Sequence, residues 1–148
     1  MLALAACCAN MGAPAWASPG APAAHVARVL AVRDDGRLHY IHSSGNEIID
    51  EGHATGTLPG SVRAYFTYDG EPTVSASFQI SGPGWSISGH GTGRLSNPNS
   101  TSPSFRGSLT LSGGSGRYAH AHGSGEMFGV YYRRSYALTV QTIGSLHY

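Results

Sequence analysis

Residues 104–129 read SFRGSLTLSGGSGRYAHAHGSGEMFG. Leu109 and Leu111 alternate with Ser108, Thr110 and Ser112, the period-two pattern of a strand with one face buried. Gly113-Gly114-Ser115-Gly116 follows, a run that tolerates positive φ and lets the chain reverse. A second extended run begins at Gly123. Strand, glycine turn, short connector, strand is the grammar of an antiparallel all-β fold.

The same grammar extends in both directions. Towards the C-terminus, Leu138, Val140, Thr142 and Gly144 alternate with Thr139, Gln141 and Ile143. Towards the N-terminus, Val74, Ala76, Phe78 and Ile80 alternate with Thr73, Ser75, Ser77 and Gln79, the cleanest amphipathic strand of the chain. Val62, Ala64, Phe66 and Tyr68 alternate with Arg63, Tyr65 and Thr67. Residues 85–95 form a strand with Gly89, Gly91 and Gly93 on one face, a sign of strong coiling or of close approach by another chain segment. Further runs at 26–32, 37–42 and 46–55 are separated by Asp34-Asp35-Gly36, which has the composition of a hairpin turn. Gly56–Gly60, Asp69-Gly70 and 97–103 supply the remaining turns and loop. No segment after residue 25 has a 3.6-residue apolar period. The spacing predicts an antiparallel barrel of about eight strands over residues 26–148. Val74, Ala76, Phe78, Ile80, Leu109, Leu111, Leu138 and Val140 are expected on its buried face.

Composition narrows the function classes. The chain carries nine arginines, no lysine and a net charge of +1, and only Arg133-Arg134 are adjacent. A nucleic-acid binder concentrates basic charge in a patch, so no nucleic-acid partner is expected. No apolar run reaches the length of a membrane-spanning helix. The first eleven residues, MLALAACCANM, are apolar and small, and Ala15-Trp16-Ala17 matches an A-x-A cleavage site. Residues 1–17 are therefore read as a secretory signal and 18–25 as a flexible leader, which predicts a secreted or cell-surface protein. Leu4-Ala5-Ala6-Cys7 also resembles a bacterial lipobox, the alternative in which Cys7 becomes a lipid anchor. Both cysteines, Cys7 and Cys8, precede Ala17, so a chain cleaved there holds no disulfide.

Gly113, Gly114, Ser115, Gly116, Tyr118, Ala121 and Gly123 resemble the G-G-[ST]-G-x-[FY]-x-x-[AV]-x-G turn of the allene oxide cyclase and dirigent barrel group. The resemblance is good over residues 105–129 and loose over 51–148. It implies an eight-stranded antiparallel barrel. It further implies either cyclisation of a reactive epoxide in an apolar lumen or the steering of radical coupling. The lumen carboxylates and arginines of those families have no residue-by-residue match here, so no site residue is carried over.

Several residues are candidates for chemistry. Glu51 and His53 fall on one face of a strand, with Arg63 and Tyr65 on the next. Inside a barrel such a group could act as acid and base; on the outer face these are polar side chains pointing to solvent. Glu126, between Gly125 and Met127, is a second candidate lumen carboxylate. His120 and His122 share a face if extended, but a zinc site needs three or four convergent ligands. The alternative is exposed histidine beside a turn, and neither metal nor cofactor is expected. There is no G-x-S-x-G elbow and, after cleavage, no cysteine nucleophile.

Three functions remain: a barrel binding a small apolar ligand or a surface partner, an isomerase-like or coupling-directing protein, and a lipid-tethered structural module. Two or more inward-facing ionisable groups would favour the second, and a packed, dry centre the third. Mass spectrometry of the protein from its native host is expected to find Ser18 as the N-terminus. An intact Met1 on cytoplasmic material would refute export, and a diacylated Cys7 would establish the anchor.

Overall fold

Val29–Ser44 runs as one continuous strand, β1, straight through Asp34-Asp35-Gly36. The turn expected at those residues is absent, and the runs at 26–32 and 37–42 do not pair with each other. Gly36 instead sits in the ladders opposite Ala54 on one side and Val140 on the other. Asp34 points inward and is buried. The local turn signal lost to pairing along both edges of β1, a tertiary effect that composition cannot register.

The remaining strands are β2 (Glu47–Gly56), β3 (Gly60–Tyr68), β4 (Thr73–Gly82), β5 (Trp85–Ser96), β6 (Ser104–Ser115), β7 (His122–Tyr132) and β8 (Ala137–His147). A short 3-10 turn, Gly116–Tyr118, joins β6 to β7. Every neighbour pair is antiparallel. β8 returns to β1 over the register Val29↔His147 to His39↔Ala137, so the sheet is a closed eight-stranded barrel. The structure is a computed structural model and describes residues 27–68 and 72–148. The proposed signal and leader and the Asp69-Gly70 turn lie outside the described residues. Among those described, no helix is long and apolar enough to cross a membrane.

One end of the barrel is sealed. Leu58 from the β2–β3 turn, Ile87 and Leu146 are almost completely buried there, with Trp85, Leu111 and Tyr118 around them. The rings of Trp85 and Tyr118 meet edge to face at 5.2 Å, and Tyr118 meets Tyr148 at 4.9 Å. Such pairs add to the stabilisation from burial itself. Asp34 fixes this end: its Oδ1 accepts the Leu58 N–H at 2.8 Å and holds the turn so that Leu58 points inward.

The opposite end carries the β1–β2, β3–β4 and β7–β8 connections and the 97–103 loop. Arg133 clamps that loop to the end of β7. Its Nη2 donates to the Pro98 carbonyl at 2.6 Å, its Nε to Ser100 at 3.0 Å and its backbone N–H to Thr101 at 3.0 Å.

The glycine motif is structural, with one correction. β6 continues through Gly113 and Gly114, and the reversal begins only at Gly116, at φ +59°. A side chain at Gly116 would also collide with the Gly84 carbonyl oxygen. A Cβ at Gly114 would lie 2.5 Å from both the Ser86 and Tyr118 carbonyl oxygens. At Gly113 it would touch only Ser88 Oγ, at 3.6 Å. Valine at Gly114 or Gly116 is therefore expected to cost about 2 kcal/mol or more, whereas Gly113→Val should stay within about 1 kcal/mol of the parent. Urea unfolding of the three variants checks this, and equal losses at all three would refute it.

Candidate functional site

Two concave surfaces compete, one outside the barrel and one within it. The outer one, about 380 Å³, lies over β1–β4. Register places His39, Glu51, Arg63 and Gln79 in one cross-strand row, with Arg37, His53, Ser61 and Ser81 in the next. Four residues singled out from sequence are here. Glu51, His53, Arg63 and Tyr65 share a face as expected, but it is the solvent face. Arg63 donates to Glu51, and Glu51, then Tyr65, hold its guanidinium above the usual range. The pair is open to water, with 57% of the Arg63 and 33% of the Glu51 side chain exposed, and ion pairs this wet couple weakly.

Glu126 also points outward. It faces Arg106 at 3.4 Å, both side chains are exposed, and Arg106 lies over the Phe128 ring. Glu51, Arg63 and Glu126 therefore do not converge in the lumen. His122 stacks on His147, with ring centroids 5.1 Å apart, and its Nδ1 lies 3.2 Å from the His120 carbonyl oxygen. Among the described residues no group of three or more histidines, cysteines or carboxylates is placed to hold a metal ion.

The inner surface is a cavity of about 410 Å³ with a mainly apolar lining. All eight residues expected on the buried face line it, which settles that their face is the lumen. Small residues keep it open. Ala64 and Ala76 face inward from β3 and β4, and Gly91 and Gly93 from β5. Met127 and Phe105 lie against the bare backbone of Gly91 and Gly93, using the space their missing Cβ atoms leave. Among the aromatics, Phe66 and Tyr131 line the cavity and Trp85 belongs to the sealed end, whereas Tyr65 faces outward. Tyr132 and Tyr136 are exposed around the open end.

Among the described residues two carboxylates face this lumen, Asp34 and Asp50, and neither is a candidate from sequence. Asp34 was read as a turn residue. Asp50 shares its strand face with Ile48 and Ala54, and that alternation was a usable signal. Asp34 is largely committed: Oδ1 holds Leu58, while Oδ2 is buried without a partner. Burial raises its carboxyl, opposed by the Leu58 hydrogen bond. Asp50 is 3% exposed and makes no side-chain hydrogen bond among the described residues. Burial pushes it up to about 6, with His39 opposing. Burial raises the Tyr131 phenol as well; the negative charge of Asp50 adds to this, Tyr136 and Tyr40 contribute in the same sense, and Arg133 opposes. Asp50, paired in register with Tyr40, and Tyr131 and Arg133, which line the same cavity, form a cluster towards the end opposite Leu58, with Tyr136 against the Tyr40 ring.

No protein-family model, curated protein or solved structure matches the chain.

A carboxyl with a raised folded-state pKa holds its proton more tightly in the native protein, so stability falls as pH rises through that value. Between an unfolded value near 3.9 and a folded value of about 6, Asp50 accounts for up to about 3 kcal/mol. The ligand-free protein is expected to unfold at a higher temperature at pH 5 than at pH 7.5. Asp50→Asn should stabilise it at pH 7.5 and flatten the dependence; Asp34 acts in the same sense and leaves a residual slope. Calorimetry at the two pH values reads this, and an unchanged slope in Asp50→Asn would refute it.

Proposed function

We propose that the protein is an exported barrel that binds a small, mainly apolar ligand in its lumen. The observation that carries this reading is the cavity of about 410 Å³, closed by the Leu58, Ile87 and Leu146 end of the barrel and lined towards the other end by Arg133. Eight-stranded barrels of this size either fill their centre with side chains or leave room for one small ligand. Here the inward alanines and glycines leave room. The volume corresponds to about 14 waters, or a ligand of about a dozen heavy atoms. The apolar N-terminus with its A-x-A site supports export. A purely structural, lipid-tethered module has no use for such a cavity.

A second reading keeps the resemblance to allene oxide cyclase and dirigent barrels and adds an isomerase-like or coupling-directing activity. It is favoured by Asp50, a lumen carboxyl that burial pushes up to about 6 and that has no hydrogen-bond partner among the described residues.

The test is binding of the neutral fluorophore N-phenyl-1-naphthylamine. The parent protein should bind it saturably with enhanced emission. Ala76 faces Phe66 and Gly91 across the ladders, so Ala76→Trp places an indole in the lumen. It should weaken binding at least tenfold while melting cooperatively. Ser77→Trp, its outward neighbour, should leave binding unchanged. Equal binding by both tryptophan variants would overturn the lumen as the site.

A further inference from the structure

We propose that the lumen selects a cationic amphiphile: an apolar body of about a dozen heavy atoms ending in one protonated amine, with its charge held by Asp50 among tyrosine faces. This rests on the lumen being the binding site and names the class of ligand it takes.

Asp50 is 97% withdrawn from water, faces an apolar cavity and has no hydrogen-bond partner among the described residues. A carboxylate in such a place is costly until something pairs with it. The described residues do not supply the partner. His39 lies on the outer face of β1, lining the exterior depression. Arg133 is at the mouth, but its guanidinium donates to the Ser100 and Pro98 carbonyl oxygens. A ligand that brings its own positive donor recovers the cost of the buried charge as affinity.

The surroundings suit an ammonium group. Asp50 pairs in register with Tyr40 of β1. The Tyr40 ring packs against Tyr136 at 5.8 Å, and the Tyr40 N–H donates to the Tyr136 carbonyl oxygen at 3.1 Å. Tyr136 holds φ +53°, a conformation rare for a non-glycine residue. Tyr131, from β7, completes the cluster. A carboxylate beside aromatic faces attracts cations by charge and by the ring quadrupoles together. It repels a ligand carboxylate, and it favours an amine over an alcohol because the hydrogen bond is then charged at both ends. Beyond the cluster the lining is mainly apolar, with Phe66, Phe105 and Val140 accepting the ligand's body, and Asp34 is tied by Oδ1 to the Leu58 N–H.

The experiment is a matched series of straight-chain ligands, n-decylamine, 1-decanol and decanoate. Each competes with N-phenyl-1-naphthylamine at pH 7.5, below its aggregation concentration. The amine should displace the probe at least about tenfold more tightly than the alcohol, and decanoate should be the weakest. In Asp50→Asn the amine should fall to within about twofold of the alcohol, whose own affinity should change little. Tyr131→Leu should reduce the amine's advantage in the same direction, which keeps the test decisive if Asp50→Asn folds poorly. If amine and alcohol bind equally to the parent, the cation preference is wrong while the lumen remains a binding site. If the advantage survives in Asp50→Asn, Asp50 is not its source. If neither probe nor competitors bind, the lumen is not the site and both conclusions fall.

Discussion

Everything else in this molecule depends on the pairing of β1 with β8. That ladder converts a sheet with two exposed edges into a barrel with none, so all eight strands hydrogen-bond on both sides. Closure also divides every strand into an inner and an outer face with no further choice. β1 must be long enough to meet β2 along one edge and β8 along the other. That demand carries it through Asp34-Asp35-Gly36, a composition that elsewhere would turn the chain.

Once the barrel closes, the sizes of inward side chains decide whether it is solid or hollow. At one end Leu58, Ile87, Leu146 and the Trp85–Tyr118–Tyr148 stack fill it. Further along, alanines and glycines occupy inward positions, and the larger side chains that remain lie flat against bare backbone. The result is a blind apolar pocket. Its asymmetry follows from which inward positions carry bulk, in the strands and in the β2–β3 and β6–β7 connections that supply Leu58 and Tyr118.

Charge placed in such a pocket has few ways to be satisfied, and the two lumen carboxylates differ in how they meet that constraint. Asp34 receives a backbone N–H and becomes part of the architecture. Asp50 receives nothing from the described residues and keeps its proton to higher pH than a carboxyl in water. The more conspicuous cluster of Glu51, His53, Arg63 and Tyr65 lies on the solvent face, where ion pairs are screened. A single step along β2, from Glu51 to Asp50, crosses from the solvent face to the lumen.

That single step marks the boundary between what the sequence determined and what only the tertiary structure decided. Period-two alternation in residues 62–68, 73–81, 104–111 and 138–144 was enough to establish the strands, the all-β class, the barrel and the membership of the buried face, because alternation is a local consequence of strand geometry. It could not say whether that face lined a cavity or an outer layer, since both repeat every two residues. Nor could it say that β1 bypasses its turn signal, because of the two ladders that override it the one to β8 joins residues about a hundred positions apart. Asp34 and Asp50 became lumen groups, and Glu51, Arg63 and Glu126 surface groups, only when register and closure assigned each parity to an inside or an outside. A one-residue shift exchanges the two faces, and no residue carries that information in its own identity.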